Sequence, residues 1–341
     1  MAAAPVRHPE SIMAAVLASG TDLESDCPCP HSGILHLTGL SLACGEHLVD
    51  AELAWQSWGS EQAPVVIVLG GISAGRNIGA WWKEQCGAQR ALDPRHLRLI
   101  SIDWLGGVDR STGPGNAADF PPIDSLDQAN AILALLNHLG IARVAAIVGA
   151  SYGGCVGQHL AALLGSRLER LIVIGAAHRA SPWALALRTL QRAGIEAAAD
   201  AEGRHAALQR ARQIAVLGYR TPAELERRFG ELDADEGVLG WLNAHGERFA
   251  QRFGAESFLR LSASLDAHRC EPQTIVAATT VVAIAEDLLV PVSLAREFAR
   301  RLRAPGEFVT IDSEFGHDAF LKEEEAIAEV LRHTISTETA A

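Results

Sequence analysis

Short runs of consecutive apolar residues alternate along the chain with stretches whose apolar positions recur every three or four residues. The apolar runs lie at 65–69, 97–102, 144–148, 171–175, 279–285 and 307–311. Each has the length of a strand and is mostly apolar, and the run at 279–285 reads as a buried strand. Between and after them, 124–139, 152–165 and 291–303 carry helical periodicity. Asp124 and Ser125 supply an N-cap for the first of these, and Gly140 a C-terminal stop. Earlier segments at 34–42 and 50–57 are suited to antiparallel edge strands. Strands alternating with helices predict a mainly parallel, eight-stranded α/β sheet with helices on both faces.

The alternation stops between residues 180 and 270. This stretch is rich in Ala, Leu, Arg and Glu and has no strand-like run. Helical pieces are predicted at Ser181–Arg192, Ala206–Leu217, Pro222–Phe229 and Glu236–Phe253. About ninety residues is too long for one crossover, so 180–270 is expected to form a helical cap inserted into a core of 34–179 and 271–341. Residues 1–33 are expected to be a poorly ordered leader with one short helical stretch, Glu10–Leu17.

Composition narrows the partners. Apolar residues make up 48% of the 341, enough for a sheet covered on both faces. The net charge of −12 comes with no basic stripe, which argues against nucleic acid and anionic membranes. No apolar run reaches membrane-spanning length, and the N-terminus lacks a signal-peptide pattern, so a cytoplasmic setting is expected. The six cysteines are Cys27, Cys29, Cys44, Cys86, Cys155 and Cys270. Cys27 and Cys29 have no second pair at zinc-site spacing, so free thiols and no metal are expected. Cys155, one turn past Ser151, reads as a small core residue.

The chemistry is carried by Gly149-Ala150-Ser151-Tyr152-Gly153, directly after the apolar run 144–148 and directly before a helical pattern. This is Gly-x-Ser-x-Gly in a strand–turn–helix setting, the nucleophile elbow of α/β-hydrolases. The glycines allow strand and helix to approach closely, and the turn projects the serine hydroxyl. Such an elbow requires an acid and then a histidine, each after a later strand. The strand at 279–285 ends at Glu286-Asp287, and the strand at 307–311 is followed by Gly316-His317-Asp318. His317 is thus the candidate base and Asp287 its candidate partner, with Glu286 the competing acid. The candidate oxyanion donors are the main-chain N–H groups of Tyr152 and of Ile72, in the loop 70–73 after the strand at 65–69. The predicted architecture is therefore an α/β-hydrolase fold with a serine triad.

A further string of motifs lies between the oxyanion loop and the elbow. Trp81-Trp82, Asp103-Trp104-Leu105-Gly106-Gly107, Ser111-Thr112-Gly113-Pro114 and Asp119-Phe120-Pro121 occur in that order. Gly316-His317-Asp318-Ala319-Phe320-Leu321 and Asp287-Leu288-Leu289-Val290-Pro291 follow. Over roughly residues 50 to 335 the chain resembles the homoserine O-acyltransferase family. The resemblance implies transfer of an acyl group from acyl-coenzyme A to the hydroxyl of homoserine, or of serine in one branch, through an acyl-serine. It implies that Arg212 pairs with the substrate carboxylate, that Tyr219 lies beside it, and that Asp318 holds the substrate ammonium. No bound cofactor is implied, since acyl-coenzyme A is a substrate. It also implies a homodimer, which a helical cap often mediates in this family.

The chain departs from the family pattern at Tyr152, where Met or Leu is usual, at Arg76, where a histidine is often seen nearby, and at Asp103-Trp104, where relatives have Asn. Arg76 lies in the oxyanion loop and is expected to meet a terminal carboxylate on the acyl tail, which favours succinyl-coenzyme A over acetyl-coenzyme A. The alternatives are an O-acetyltransferase, a serine O-succinyltransferase and, more distantly, an esterase or thioesterase. A non-catalytic binding protein on the same scaffold would be expected to have lost a triad residue.

Overall fold

The computed structural model describes residues 30–115, 119–304 and 306–335. Cys27, Cys29 and the helical stretch expected at Glu10–Leu17 lie outside them.

Eight strands form one sheet: β1 (His31–Ser41), β2 (His47–Trp58), β3 (Val65–Leu69), β4 (Arg98–Ile102), β5 (Val144–Ala150), β6 (Leu168–Ile174), β7 (Ala278–Ile284) and β8 (Glu307–Ile311). Their order is β1-β2-β4-β3-β5-β6-β7-β8. β1 pairs antiparallel with β2, and β2 antiparallel with β4; every later pairing is parallel. β1 begins at His31, so the last residues of the expected leader belong to the sheet.

The central strands are largely buried because both faces are covered, whereas the edge strand β8 exposes Glu307 and Thr310. In β3, Val65, Ile67 and Leu69 join one core while Val66 and Val68 join the other, as the two-residue period of a strand requires. The first core packs under α2 (Ser125–His138) and α3 (Tyr152–Leu164). The second packs against the short α1 (Ile78–Trp82) and the C-terminal α11 (Glu324–Ile335). α11 buries Ile327, Ala328, Leu331 and Ile335 along one stripe. Asp124 caps α2 as expected: its side chain accepts from the N–H groups of Leu126 and Asp127, and Asp127 answers back to the Asp124 N–H.

Between β6 and β7 lie five helices and no strand among the described residues: α4 (Pro182–Glu196), α5 (Ala201–Tyr219), α6 (Pro222–Phe229), α7 (Gly240–Ala250) and α8 (Ala255–Ala267). Ser181, Asp200 and Thr221 cap the first three through their side chains. The single helix expected over Glu236–Phe253 is divided. A π-turn at Asp235–Leu239 contains Gly237 in a non-helical conformation, and α7 starts only at Gly240. α8 escapes periodicity analysis because Ser257, Ser262 and Ser264 are among its buried residues, which blurs its apolar stripe. After β7, α9 (Val292–Arg301) leads into β8, and the short α10 (Ala319–Lys322) precedes α11.

Candidate active site

The parallel strands deliver their C-terminal ends to one edge of the sheet, and the chemistry collects there. Ser151 follows β5 directly, with φ 53° and ψ −117°. A positive φ is strained for serine, and two close approaches hold it. A Cβ on Gly149 would strike the carbonyl of Gly153, and one on Gly153 would strike the carbonyl of Leu69. Glycine at these two places lets α3 start against β3 and β5.

His317 and Asp287 reach this serine from the loops after β8 and β7. His317 Nε2 lies 2.9 Å from Ser151 Oγ, and His317 Nδ1 lies 2.6 Å from Asp287 Oδ2. A carboxylate only accepts, so Nδ1 carries the proton and Nε2 is free to accept from the serine hydroxyl. The other Asp287 oxygen accepts from the N–H groups of Leu289, at 2.8 Å, and Val290, at 3.0 Å. The competing Glu286 instead accepts from the Ser313 N–H at 2.8 Å. Gly316, at φ +58°, brings the histidine in under the Tyr219 carbonyl, where any side chain would collide. Burial pulls the His317 imidazole down, but the charge and hydrogen bond of Asp287, with Asp318 further off, more than offset this. Its pKa stands above the ordinary 6.5.

Ser151 and His317 open onto a cavity of about 180 Å³. Ile72 lines it, and Tyr152 follows Ser151 at the start of α3. Among the described residues, the main-chain N–H groups of Ile72 and Tyr152 donate to no protein acceptor. The Tyr152 side chain points away into the core, where its hydroxyl lies 2.7 Å from Ser264 Oγ on α8. Cys155 is buried, as expected, and its side also borders the cavity.

α4, α5 and α8 supply the opposite wall. Arg212 on α5 projects there with its guanidinium against the rings of Phe249, at 4.9 Å, and Tyr219, at 5.5 Å. Its Nε is buried without a hydrogen-bond partner, and among the described residues it forms no ion pair. An arginine held by two aromatic faces, with open donors toward a cavity, is set up to take a carboxylate. Tyr219 stacks obliquely on His317, with centroids 5.8 Å apart. Asp318 also lines the cavity, but one of its oxygens accepts from Arg220 Nε at 2.9 Å.

Arg76 does not take the position expected of it. Its guanidinium is ion-paired with the buried Asp103, its N–H donates to the same carboxylate at 2.8 Å, and it is absent from the cavity wall. The loop turns this side chain away from Ser151 because Asp103, buried and charged, requires a cation. The cation that spacing did not single out is Arg188 on α4, which lines the cavity. Asp266 is shared between Arg188, at 2.6 Å, and Arg192, at 2.6 Å. Two arginines against one carboxylate leave an excess positive charge in that wall. They stand one turn apart on α4.

The sheet order, the elbow and the triad geometry define an α/β-hydrolase. A family profile for the alpha/beta hydrolase fold matches residues 64–324. The chain is 40% identical over 305 residues to a homoserine O-succinyltransferase of Xanthomonas campestris pv. campestris, covering 84% of this chain and 80% of that one. It is 32% identical over 316 residues to a homoserine O-acetyltransferase of Deinococcus radiodurans, covering 90% and 93%. The chain belongs to the homoserine O-acyltransferase family of α/β-hydrolases. Among solved structures, a homoserine O-acetyltransferase from Staphylococcus aureus superposes with a TM-score of 0.80 at 20% identity, covering 92% of this chain and 97% of that one. An acetylester hydrolase from Corynebacterium glutamicum superposes with a TM-score of 0.78 at 19% identity, covering 89% and 96%. At those identities the likeness is one of fold.

Proposed function

We propose that this protein transfers an acyl group, preferably succinyl from succinyl-coenzyme A, to the hydroxyl of L-homoserine, a step of methionine biosynthesis. The observation that carries the reading is a serine–histidine–aspartate relay facing an arginine that, among the described residues, has no carboxylate of its own. Hydrolysis needs no such partner, whereas an amino-acid acceptor brings a carboxylate to it.

In the proposed sequence, Ser151 Oγ bonds to the thioester carbon as its proton passes to His317 Nε2. The carbonyl electron pair moves onto oxygen, which accepts from the Ile72 and Tyr152 N–H groups. Collapse breaks the C–S bond, and His317 returns its proton to the departing sulfur. Homoserine then enters with its carboxylate on Arg212 and its ammonium near Asp318. Its hydroxyl proton passes to Nε2 as its oxygen bonds to the acyl carbon. The second collapse breaks the bond to Ser151 Oγ, which recovers the proton. Asp287 keeps its own charge and stabilises the imidazolium throughout.

The cavity is smaller than the roughly 300–1,000 Å³ of sites that engulf a drug-sized ligand. It suits an acyl chain and a small amino acid, with the coenzyme A nucleotide outside. The helices of 180–270 act in this reading as a cap that keeps water from the acyl-serine. The excess charge around Arg188 favours a donor ending in a carboxylate, hence succinyl over acetyl. Serine is the alternative acceptor, shorter by one methylene. A homodimer is proposed through the cap, where Trp183 and Leu190 stand exposed two turns apart on α4. Coenzyme A thioesters as substrates suit a cytoplasmic setting.

Intact-protein mass spectrometry tests the central intermediate. Succinyl-coenzyme A should add one succinyl group to the protein, and homoserine should remove it within seconds. Ser151→Ala should take up none. Label on Ser151→Ala, or label that homoserine does not discharge, would refute the reading.

A further inference from the structure

The loop of residues 70–77 carries the Ile72 N–H, and its orientation is decided by one peptide plane. In a trans peptide the carbonyl of one residue and the N–H of the next point in opposite directions. The Gly71 carbonyl and the Ile72 N–H form such a unit. Whatever holds the Gly71 oxygen therefore aims the Ile72 donor. Two groups hold it: the Ala74 N–H at 3.0 Å, within the turn, and the indole Nε1–H of Trp104 at 2.9 Å, from another part of the chain.

Trp104 is built to stay in place. It is buried, and both its neighbours are tied down. The Asp103 N–H donates to the Ala54 carbonyl at 2.9 Å, and Ser111 Oγ donates to the Asp103 carbonyl at 2.7 Å. The Gln128 side chain brackets Leu105 from both sides, accepting from its N–H at 3.1 Å and donating to its carbonyl at 2.7 Å. The indole also meets the Tyr152 ring edge-on, with centroids 4.9 Å apart. Tyr152 supplies the second oxyanion donor, and its hydroxyl is anchored on Ser264. One indole thus bonds to the peptide that carries one donor and packs on the side chain of the residue that carries the other. The far end of the oxyanion loop is held in the same way, by Trp81 Nε1 on the Gly75 carbonyl at 3.2 Å and by Asp103 on the Arg76 N–H.

We propose that Trp104 is a positioning residue that preorganises the oxyanion hole, by pinning the Gly71–Ile72 peptide so that its N–H faces the acyl oxygen. Trp104 touches no reacting atom. Without its indole N–H the Gly71 oxygen keeps only the Ala74 bond, and orientations with the Ile72 N–H turned away become populated. Only the correctly oriented fraction is competent. This inference depends on the proposed acyl-serine chemistry at Ser151.

The test replaces Trp104 by β-(3-benzothienyl)alanine, which keeps the ring shape and substitutes sulfur for the N–H; Trp104→Phe is the second variant. Three quantities are measured on each purified protein: kcat and KM for transfer to homoserine, the affinity of an alkylboronic acid that forms a tetrahedral adduct on Ser151, and Tm. For the isostere, kcat and boronic-acid affinity should fall together by about 3- to 10-fold, the worth of one ordinary hydrogen bond, with KM for homoserine within about two-fold. The isostere should melt within about 4 °C of the parent protein, since its packing is unchanged and only one hydrogen bond is lost. Unchanged kcat in the isostere would overturn the proposal. So would a loss of kcat with boronic-acid affinity intact, because the oxyanion hole would then be undisturbed. If the boronic acid fails to bind the parent protein, or binds Ser151→Ala equally well, the Ser151 reading itself fails and this inference falls with it. Binding to the parent through Ser151 with no change in the isostere rejects the role of Trp104 alone.

Discussion

His317 sets the pH dependence of the proposed reaction. It must be neutral at Nε2 to accept the proton from Ser151. Asp287 stabilises the protonated form, so the imidazole stays charged to a higher pH than an ordinary histidine would. Activity should accordingly fall as pH drops through a value above 6.5, and kcat/KM measured against pH should place the acid limb there. Asp287→Asn removes the charge and should move that limb downward while lowering kcat. Donor choice is a second residue-level matter. Arg188→Leu should lower kcat/KM for succinyl-coenzyme A by about 10- to 100-fold relative to acetyl-coenzyme A, the scale of one charge-assisted hydrogen bond. Arg76→Ala should leave that ratio unchanged, because its guanidinium is committed to Asp103. Equal donor ratios in Arg188→Leu and the parent would remove the case for succinyl. The sequence made Ser151, Asp287 and His317 legible because each must stand just after a strand, and strands are readable. It misled about Arg76 because loop position says nothing of side-chain direction. It hid Arg188 because only the tertiary fold turns that face of α4 inward.

At the scale of elements, the elbow depends on contact between backbones. β3, β5 and α3 come so close that Gly149 and Gly153 have no room for a Cβ. Gly153→Ala should destabilise the protein by about 3 kcal/mol or more, since the colliding atom is main chain and cannot rotate away. Urea unfolding checks this; an unaltered midpoint would mean the elbow is looser than described. The strands and α2 could be read from the sequence because apolar runs and a capping box are local signals. The helices between β6 and β7 were read as helices, but their breaks were not. Gly237 interrupts a continuous pattern, and α8 buries serines where apolar residues would announce a face. Trp104 stood out in the sequence as part of a motif string and as a departure from the family's usual residues, not as a support for the oxyanion loop. Its bond to Gly71 links positions 33 residues apart and has no local signature.

On the scale of the whole molecule, a chain of net charge −12 places Arg179, Arg188 and Arg212 in the wall of the cavity beside Ser151. Positive charge in the wall of a small cavity suits a small anionic substrate, as the proposed reaction requires. No described helix is long and apolar enough to cross a membrane. A structural neighbour with this fold is an acetylester hydrolase, so the fold does not separate transfer from hydrolysis. In the proposed reaction the helices over Ser151 carry that distinction: they place Arg212 in the cavity wall beside Ser151, where it would meet the acceptor, and they would shield the acyl-serine from water. Coenzyme A release from succinyl-coenzyme A, followed with homoserine, with serine and with no acceptor, tests this most directly. Release that depends on homoserine and yields O-succinylhomoserine is the predicted result. Release at the same rate without any acceptor, yielding free succinate, would contradict the account and make the protein a thioesterase.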